Sequence, residues 1–175
     1  MKYLITGGCG FIGVNFADRL LSRGDKVVLL DNLSRRGTTE NQNYLTRKYK
    51  SCDFVHADIR VDFKKMKKLA NEVDAVYHLA GQVAVTKSVS DPRTDFDENA
   101  LGAFNMLEAV RLSRKKPIFI YASTNKVYGG MDGVGVVRAV VTNVADHHFV
   151  DAVHAHLGQQ VFHRVAALRS VVRAV

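Results

Sequence analysis

A glycine-rich turn set between an apolar strand and a helix constrains this chain more than any other feature. Lys2-Tyr3-Leu4-Ile5-Thr6 has the length and composition of a short buried strand and runs straight into Gly7-Gly8-Cys9-Gly10-Phe11-Ile12-Gly13. From Phe11 onward apolar residues recur at helical spacing (Phe11, Val14, Ala17, Leu20, Leu21), so residues 11–23 read as a helix stopped by Gly24. The spacing Gly8-x-Gly10-x-x-Gly13, after a strand and opening a helix, suits a diphosphate. Glycines permit backbone angles that other residues resist and let the chain approach an anion closely. Gly13 lets the helix pack on the sheet. Unpaired N–H groups and the positive end of the helix dipole then face the ligand.

The second strand sharpens this reading. Residues 26–31 carry Val27-Val28-Leu29-Leu30, the continuous apolar run of a parallel strand buried on both faces, and end at Asp31. Asp31 lies 18 residues after Gly13, where a carboxylate accepts hydrogen bonds from the adenosine ribose and repels a 2′-phosphate. NAD is therefore favoured over NADP, although Arg35 and Arg36 stand close enough to keep NADP open. Residues 32–43 are polar and read as loop. Further strands are expected at 54–58, 75–79 and 117–122, with helices at 62–71 and 96–113. Strands and helices alternating at these spacings predict an α/β fold, a doubly wound parallel sheet with right-handed crossovers and helices on both faces.

Bulk properties exclude several classes. No run reaches the 18 to 20 apolar residues of a membrane span, and the amino terminus has neither the apolar length nor the cleavage site of a secretory signal. Cys9 and Cys52 are too few for a disulfide framework, so a reducing, cytoplasmic compartment is expected. The net charge of +8 includes Lys64-Lys65-Met66-Lys67-Lys68. No aromatic platform or nucleic-acid motif accompanies those lysines, which read as the solvated face of an amphipathic helix rather than a nucleic-acid surface.

Residues 1–129 resemble the extended short-chain dehydrogenases, specifically the NAD-dependent sugar-nucleotide epimerases and dehydratases. The matching pieces are residues 6–13, Asp31-Asn32, Asp58-Ile59, His78-Leu79-Ala80-Gly81, Asn99, Ser123-Thr124 and Val127-Tyr128-Gly129. Several strings, among them Asp31-Asn32-Leu33-Ser34-Arg35 and Ser123-Thr124-Asn125-Lys126-Val127-Tyr128-Gly129, are most similar to members that epimerise a CDP-linked deoxysugar. The resemblance implies that Asp58 and Ile59 border the adenine, and that Leu79, Ala80, Gly81 and Gln82 run beneath the cofactor. It implies that Asn99 orders the site and that Thr124 bonds the sugar hydroxyl being oxidised. It extends the cofactor set from Gly7, Gly10, Gly13 and Asp31 to Phe11, Ile12, Asn32, Ser34, Arg35 and Ser123. His78 reads as a structural histidine rather than a catalyst. A nucleotide-sugar substrate is implied, and pairing with a second copy is allowed.

The family chemistry is transient oxidation of the sugar and its re-reduction. A tyrosine takes the hydroxyl proton, and a lysine four residues later on the same helix lowers that tyrosine's pKa. Here the chain departs from the pattern. No tyrosine follows Tyr128 and no lysine follows Lys126, so the Tyr-x-x-x-Lys pair is absent. Residues 131–175 hold 13 valines, 7 alanines and five of the seven histidines, without Lys, Glu, Tyr, Ile, Pro or Cys. They read as a tail outside the family, helical from about Asp146 or disordered, after a dinucleotide-binding domain at 1–130 that is incomplete at its carboxyl end and lacks a substrate domain. A shifted reading frame or a fusion is the expected origin. His147, His148, His154, His156 and His163 are read as compositional bias, and no metal is expected. The resulting reading is an epimerase chain with little or no activity. A non-catalytic dinucleotide sensor and a 4-epimerase or 4,6-dehydratase are its alternatives.

Overall fold

A computed structural model describes residues 1–123 with their side chains, and beyond them the backbone of two further strands. In chain order the elements are β1 (Lys2–Thr6), α1 (Phe11–Ser22), β2 (Lys26–Asp31), α2 (Thr38–Lys48), β3 (Cys52–His56), α3 (Phe63–Ala70) and β4 (Ala75–His78). There follow α4 (Val85–Ser90), α5 (Pro92–Phe96), a π-helical turn (Asp97–Leu101), α6 (Gly102–Arg111), β5 (Ile118–Ala122), β6 (Ala139–Asn143) and β7 (His148–Val150). The sheet order is β3-β2-β1-β4-β5-β6-β7. The first five strands are mutually parallel, whereas β6 pairs antiparallel with β5 and β7 pairs antiparallel with β6.

Alternation along the strands divides the core into two layers, because successive side chains point to opposite faces. Leu4, Val28, Val76 and Phe119 lie on one face with Met66 of α3 and Met106, Ala109 and Val110 of α6. Ile5, Val27, Leu29 and Ala75 lie on the other with Ala17, Leu20 and Leu21 of α1 and Leu45 of α2. Helices on both faces of a parallel sheet make the doubly wound, Rossmann-type architecture expected from the sequence. Lys64, Lys65, Lys67 and Lys68 all lie on the solvent side of α3, whose Met66, Leu69 and Ala70 are buried. Among the described residues no helix is long and apolar enough to cross a membrane.

Four expectations need correction. The second half of the stretch read as a polar loop at 32–43 belongs to α2, which begins at Thr38 and buries only Thr38 and Leu45. So thin an apolar face leaves little periodicity to detect. The third strand lies at Cys52–His56, two residues earlier than expected, with Cys52 buried opposite Val27. The long helix at 96–113 is interrupted by the π-helical turn and preceded by α4 and α5, which bury no residue. Finally, β6 and β7 stand in the stretch read as helical or disordered, and β7 replaces the start of the helix expected from about Asp146. Ala139-Val140-Val141-Thr142-Asn143 is rich in β-branched residues, and β6 pairs with the edge that β5 offers. The rest of 131–175 lies outside the described residues.

Candidate functional site

The chain runs β1-β2-β3 to one side of the sheet and then crosses to β4 on the other, so the order reverses between β1 and β4. In such sheets the crevice at the carboxyl ends of the strands flanking the reversal is where ligands bind. A cavity of about 570 Å³ opens there, with Gly7 and Gly10 on its wall. Gly7 has φ +65°, and a Cβ on it would stand 2.8 Å from the Ala80 backbone nitrogen. A side chain at Gly7 is excluded twice, by conformation and by space. Gly13 is excluded more firmly, since a Cβ there would lie 2.3 Å from the Gly7 carbonyl oxygen. Helix α1 starts from Gly10 with no side-chain cap and no acidic residue in its first turn. Its positive end therefore stays available to an anion, and the turn fits a diphosphate.

Asp31 sits at the mouth of that turn. Asp31 lines the cavity, and its carboxylate accepts a hydrogen bond from Cys9 N at 3.1 Å and another from Leu33 N at 2.9 Å. One carboxylate thus joins the glycine turn to the loop after β2, and each oxygen keeps a lone pair for a further donor. Cys9 itself is filler: burial, with Asp31 beside it, pushes its thiol up to about 12. Beyond Asp31 the wall continues through Asn32, Ser34 and Arg35.

Asp58 and Ile59 form the next part of the wall. Arg60 chelates the Asp58 carboxylate through Nε and Nη2, its backbone N–H adds a third bond, and Asn32 Nδ2 donates from the side at 3.2 Å. The guanidinium is the main reason that Asp58 is lowered to about 2. Ile59 is held from behind by α6, where Asn105 Nδ2 donates to the Ile59 carbonyl at 2.9 Å and to that of Arg60 at 3.0 Å.

The cavity floor is the loop after β4, from Leu79 through Ala80 and Gly81 to Gln82. Thr6 fastens its start: Ala80 N donates to Thr6 Oγ1 at 3.3 Å, and the same hydroxyl bonds His78 Nδ1 at 2.8 Å. Asn99, in the π-helical turn, fastens its end by accepting from Gln82 N at 2.9 Å. The Gln82 carboxamide is taken up within the protein, donating to Ala84 O, Ser88 Oγ and Asp95 Oδ1, so Gln82 leaves that side chain no donor for a ligand.

His78 is buried against the Phe119 and Tyr121 rings, and its Nε2 has no hydrogen-bond partner among the described residues. Desolvation holds its pKa down at about 4 against an ordinary 6.5. Above pH 6.5 both folded and unfolded chains carry it neutral, and stability is complete. As pH falls from 6.5 towards 4 the unfolded chain takes up a proton that the folded one refuses. Between pH 7 and pH 5 this removes about 2 kcal/mol of stability, largely before carboxylates titrate. Urea midpoints at the two pH values, with the His78 ring followed by NMR, check it. A ring that titrates near 6.5 refutes it.

The structure thus gathers Gly7, Gly10, Asp31, Asn32, Ser34 and Arg35 with Asp58, Ile59 and residues 79–82 around one cavity. Phe11 and Ile12 stand exposed on the first turn of α1 without lining it, and Gly13 and Asn99 act through the turn and the floor. Ser123 is half-buried directly after β5 and is not part of the wall; Thr124 lies outside the described residues. Thr6, Arg60 and Asp95 escaped the sequence reading as site residues. Only the Asp58-x-Arg60 spacing offered a signal for any of them.

Residues 4–138 match the pattern of the family described as GDP-mannose 4,6 dehydratase, eight residues into the stretch of altered composition. The chain is 46% identical over 133 residues to CDP-paratose 2-epimerase of Salmonella typhi, covering 75% of this chain and 39% of that protein. It is 36% identical over 142 residues to a UDP-glucose 4-epimerase of Klebsiella pneumoniae, covering 79% of this chain and the whole of that sequence. Among solved structures, UDP-glucose 4-epimerase of Stenotrophomonas maltophila with bound NAD and formylated UDP-arabinopyranose superposes with a TM-score of 0.67. Identity there is 32%, covering 75% of this chain and 39% of that one. The chain spans about two fifths of the length of the first curated relatives it matches. With the glycine turn, the acidic end of β2 and the match over residues 4–138 in agreement, this chain belongs to the GDP-mannose 4,6-dehydratase family, among the sugar-nucleotide epimerases and dehydratases.

Proposed function

We propose that residues 1–130 form the NAD-binding unit of a sugar-nucleotide epimerase of the CDP-paratose 2-epimerase kind, acting in its intact form on a CDP-linked deoxysugar. One observation carries the cofactor reading: Asp31 lines the cavity and its carboxylate accepts the Cys9 N–H, which ties the proposed ribose and diphosphate sites into one unit. The 46% identity to CDP-paratose 2-epimerase supports the substrate class. NAD, when bound, supplies reversible hydride transfer at its nicotinamide ring. The residues do the rest. The uncapped end of α1 receives the diphosphate, Asp31 accepts the ribose hydroxyls, Asp58 and Ile59 border the adenine, and residues 79–82 support the remainder. Thr124 is assigned the sugar hydroxyl.

Calorimetric titration of the full chain tests this. NAD is expected to bind saturably, with NADP weaker by about tenfold or more, because a 2′-phosphate set against the Asp31 carboxylate brings like charges together. Absence of NAD binding refutes the cofactor reading. With no tyrosine after Tyr128 and no lysine after Lys126 in this sequence, the chain is expected to show little or no epimerase turnover. The same absence favours a second reading, a non-catalytic dinucleotide sensor, whose NAD affinity a CDP-sugar would leave unchanged. UDP- and dTDP-sugars in the same titration separate the 4-epimerase and 4,6-dehydratase alternatives.

A further inference from the structure

We propose that Asp95 is a positioning residue that sets the cavity floor under the cofactor by fixing the orientation of the Asn99 carboxamide. The role rests on the NAD reading above. Asp95 Oδ1 accepts three hydrogen bonds: from Gln82 Nε2 at 3.0 Å, Ser88 Oγ at 2.9 Å and Asn99 Nδ2 at 3.1 Å. A carboxylate can only accept, so it forces the amide nitrogen of Asn99 towards itself and the amide oxygen away. That oxygen is the acceptor for Gln82 N at 2.9 Å. It also lies 2.8 Å from where a Cβ on Gly81 would stand, so the loop rests directly against it. Reversing the amide would set a nitrogen against the Gln82 N–H, leaving two donors facing each other.

Asp95 and Asn99 are four residues apart across the junction of α5 with the π-helical turn, a distortion often found at functional sites. Through Ser88 and Gln82 the same oxygen reaches α4, an element that buries none of its own residues. The floor and α4 are therefore both secured by one acceptor.

The test uses the full chain. Asp95→Asn keeps size but replaces charge-assisted bonds by neutral ones and admits the reversed amide. It is expected to speed hydrogen exchange at Gln82 N and to weaken NAD binding, each by about tenfold, the equivalent of 1.4 kcal/mol, with little change in Tm. Ser88→Ala removes one donor without touching Asn99 and is expected to leave both readings within about twofold. Unchanged exchange at Gln82 N in Asp95→Asn overturns the proposal, as does an equal response to Ser88→Ala. If Asp95→Asn fails to fold, the unaltered chain decides: Asn99 side-chain amide protons that exchange as freely as those of an exposed asparagine refute it. Exchange is read without cofactor. A chain that takes up no NAD at all sinks the NAD reading, while exchange still tests the orientation of Asn99.

Discussion

Gly13→Ala is expected to unseat α1 from the glycine turn and to cost about 3 kcal/mol of stability, the upper part of the range for overpacking. The added Cβ would lie 2.3 Å from the Gly7 carbonyl oxygen, 2.7 Å from Gly8 Cα and 2.8 Å from the Gly8 carbonyl carbon. All three are backbone atoms, and the turn that carries them is held by Gly7 N donating to Leu30 O and Cys9 N donating to Asp31. Neither side can yield without moving helix or strand. Gly102 is the informative contrast. A Cβ there would meet Ile59 Cδ1 at 2.4 Å, but that atom ends a side chain that can turn away. Gly102→Ala is therefore expected to be milder, within about 1.5 kcal/mol. Thermal melts rank the two, Gly13→Ala falling by about 6 to 12 °C for a chain of this size. NAD binding should fall with it, because the N–H groups aimed at the diphosphate move with the turn. A Gly13→Ala chain that melts like the parent and binds NAD equally well would mean that α1 docks elsewhere.

Asp31→Ala is expected to raise the Kd for NAD by about a hundredfold or more, equivalent to about 2.7 kcal/mol. Two losses combine. The ribose loses a charged acceptor, worth about 1.5 to 3 kcal/mol, and the buried Cys9 N–H loses its partner, at about 1 to 3 kcal/mol. The second loss falls on folding as well as binding, so Tm should drop too. Discrimination between cofactors is the sharper readout. Without the carboxylate nothing on β2 repels a 2′-phosphate, and Arg35 on the same wall can attract it. The ratio of NADP to NAD affinity should rise by at least about tenfold. An unchanged ratio would move the ribose away from Asp31 and take the cofactor assignment with it.

Several parts of this architecture are legible in the chain because they rest on local rules. Val27 to Leu30 has to be a strand covered on both faces, since an uninterrupted apolar run of that length has no solvent side. The glycine turn announces itself because two of its glycines meet backbone, at Ala80 and at Gly7, that no side chain could share. Elements with little apolar periodicity were invisible. In α2 only Thr38 and Leu45 are buried, and α4 buries nothing, so neither leaves a hydrophobic period. The π-helical turn at Asp97–Leu101 has no compositional mark, since its sequence would suit an ordinary helix. Nor does any spacing rule pair Asp95 with Gln82, which lie 13 residues apart and meet only after the chain has turned through α4.

The class of fold, the glycine turn and the acid that ends β2 can all be read from the chain alone, because each depends on contacts or exclusions within one strand-turn-helix unit. The whole fold is needed for Asp31 to hold the glycine turn as well, for Arg60 to neutralise Asp58, for Asn99 and Asp95 to carry the floor, and for β6 and β7 to extend the sheet through antiparallel pairing. The physical reason is hydrogen-bond satisfaction. A polar side chain is committed by whichever buried donor or acceptor ends up beside it, and that neighbour is chosen by the packing of the whole sheet.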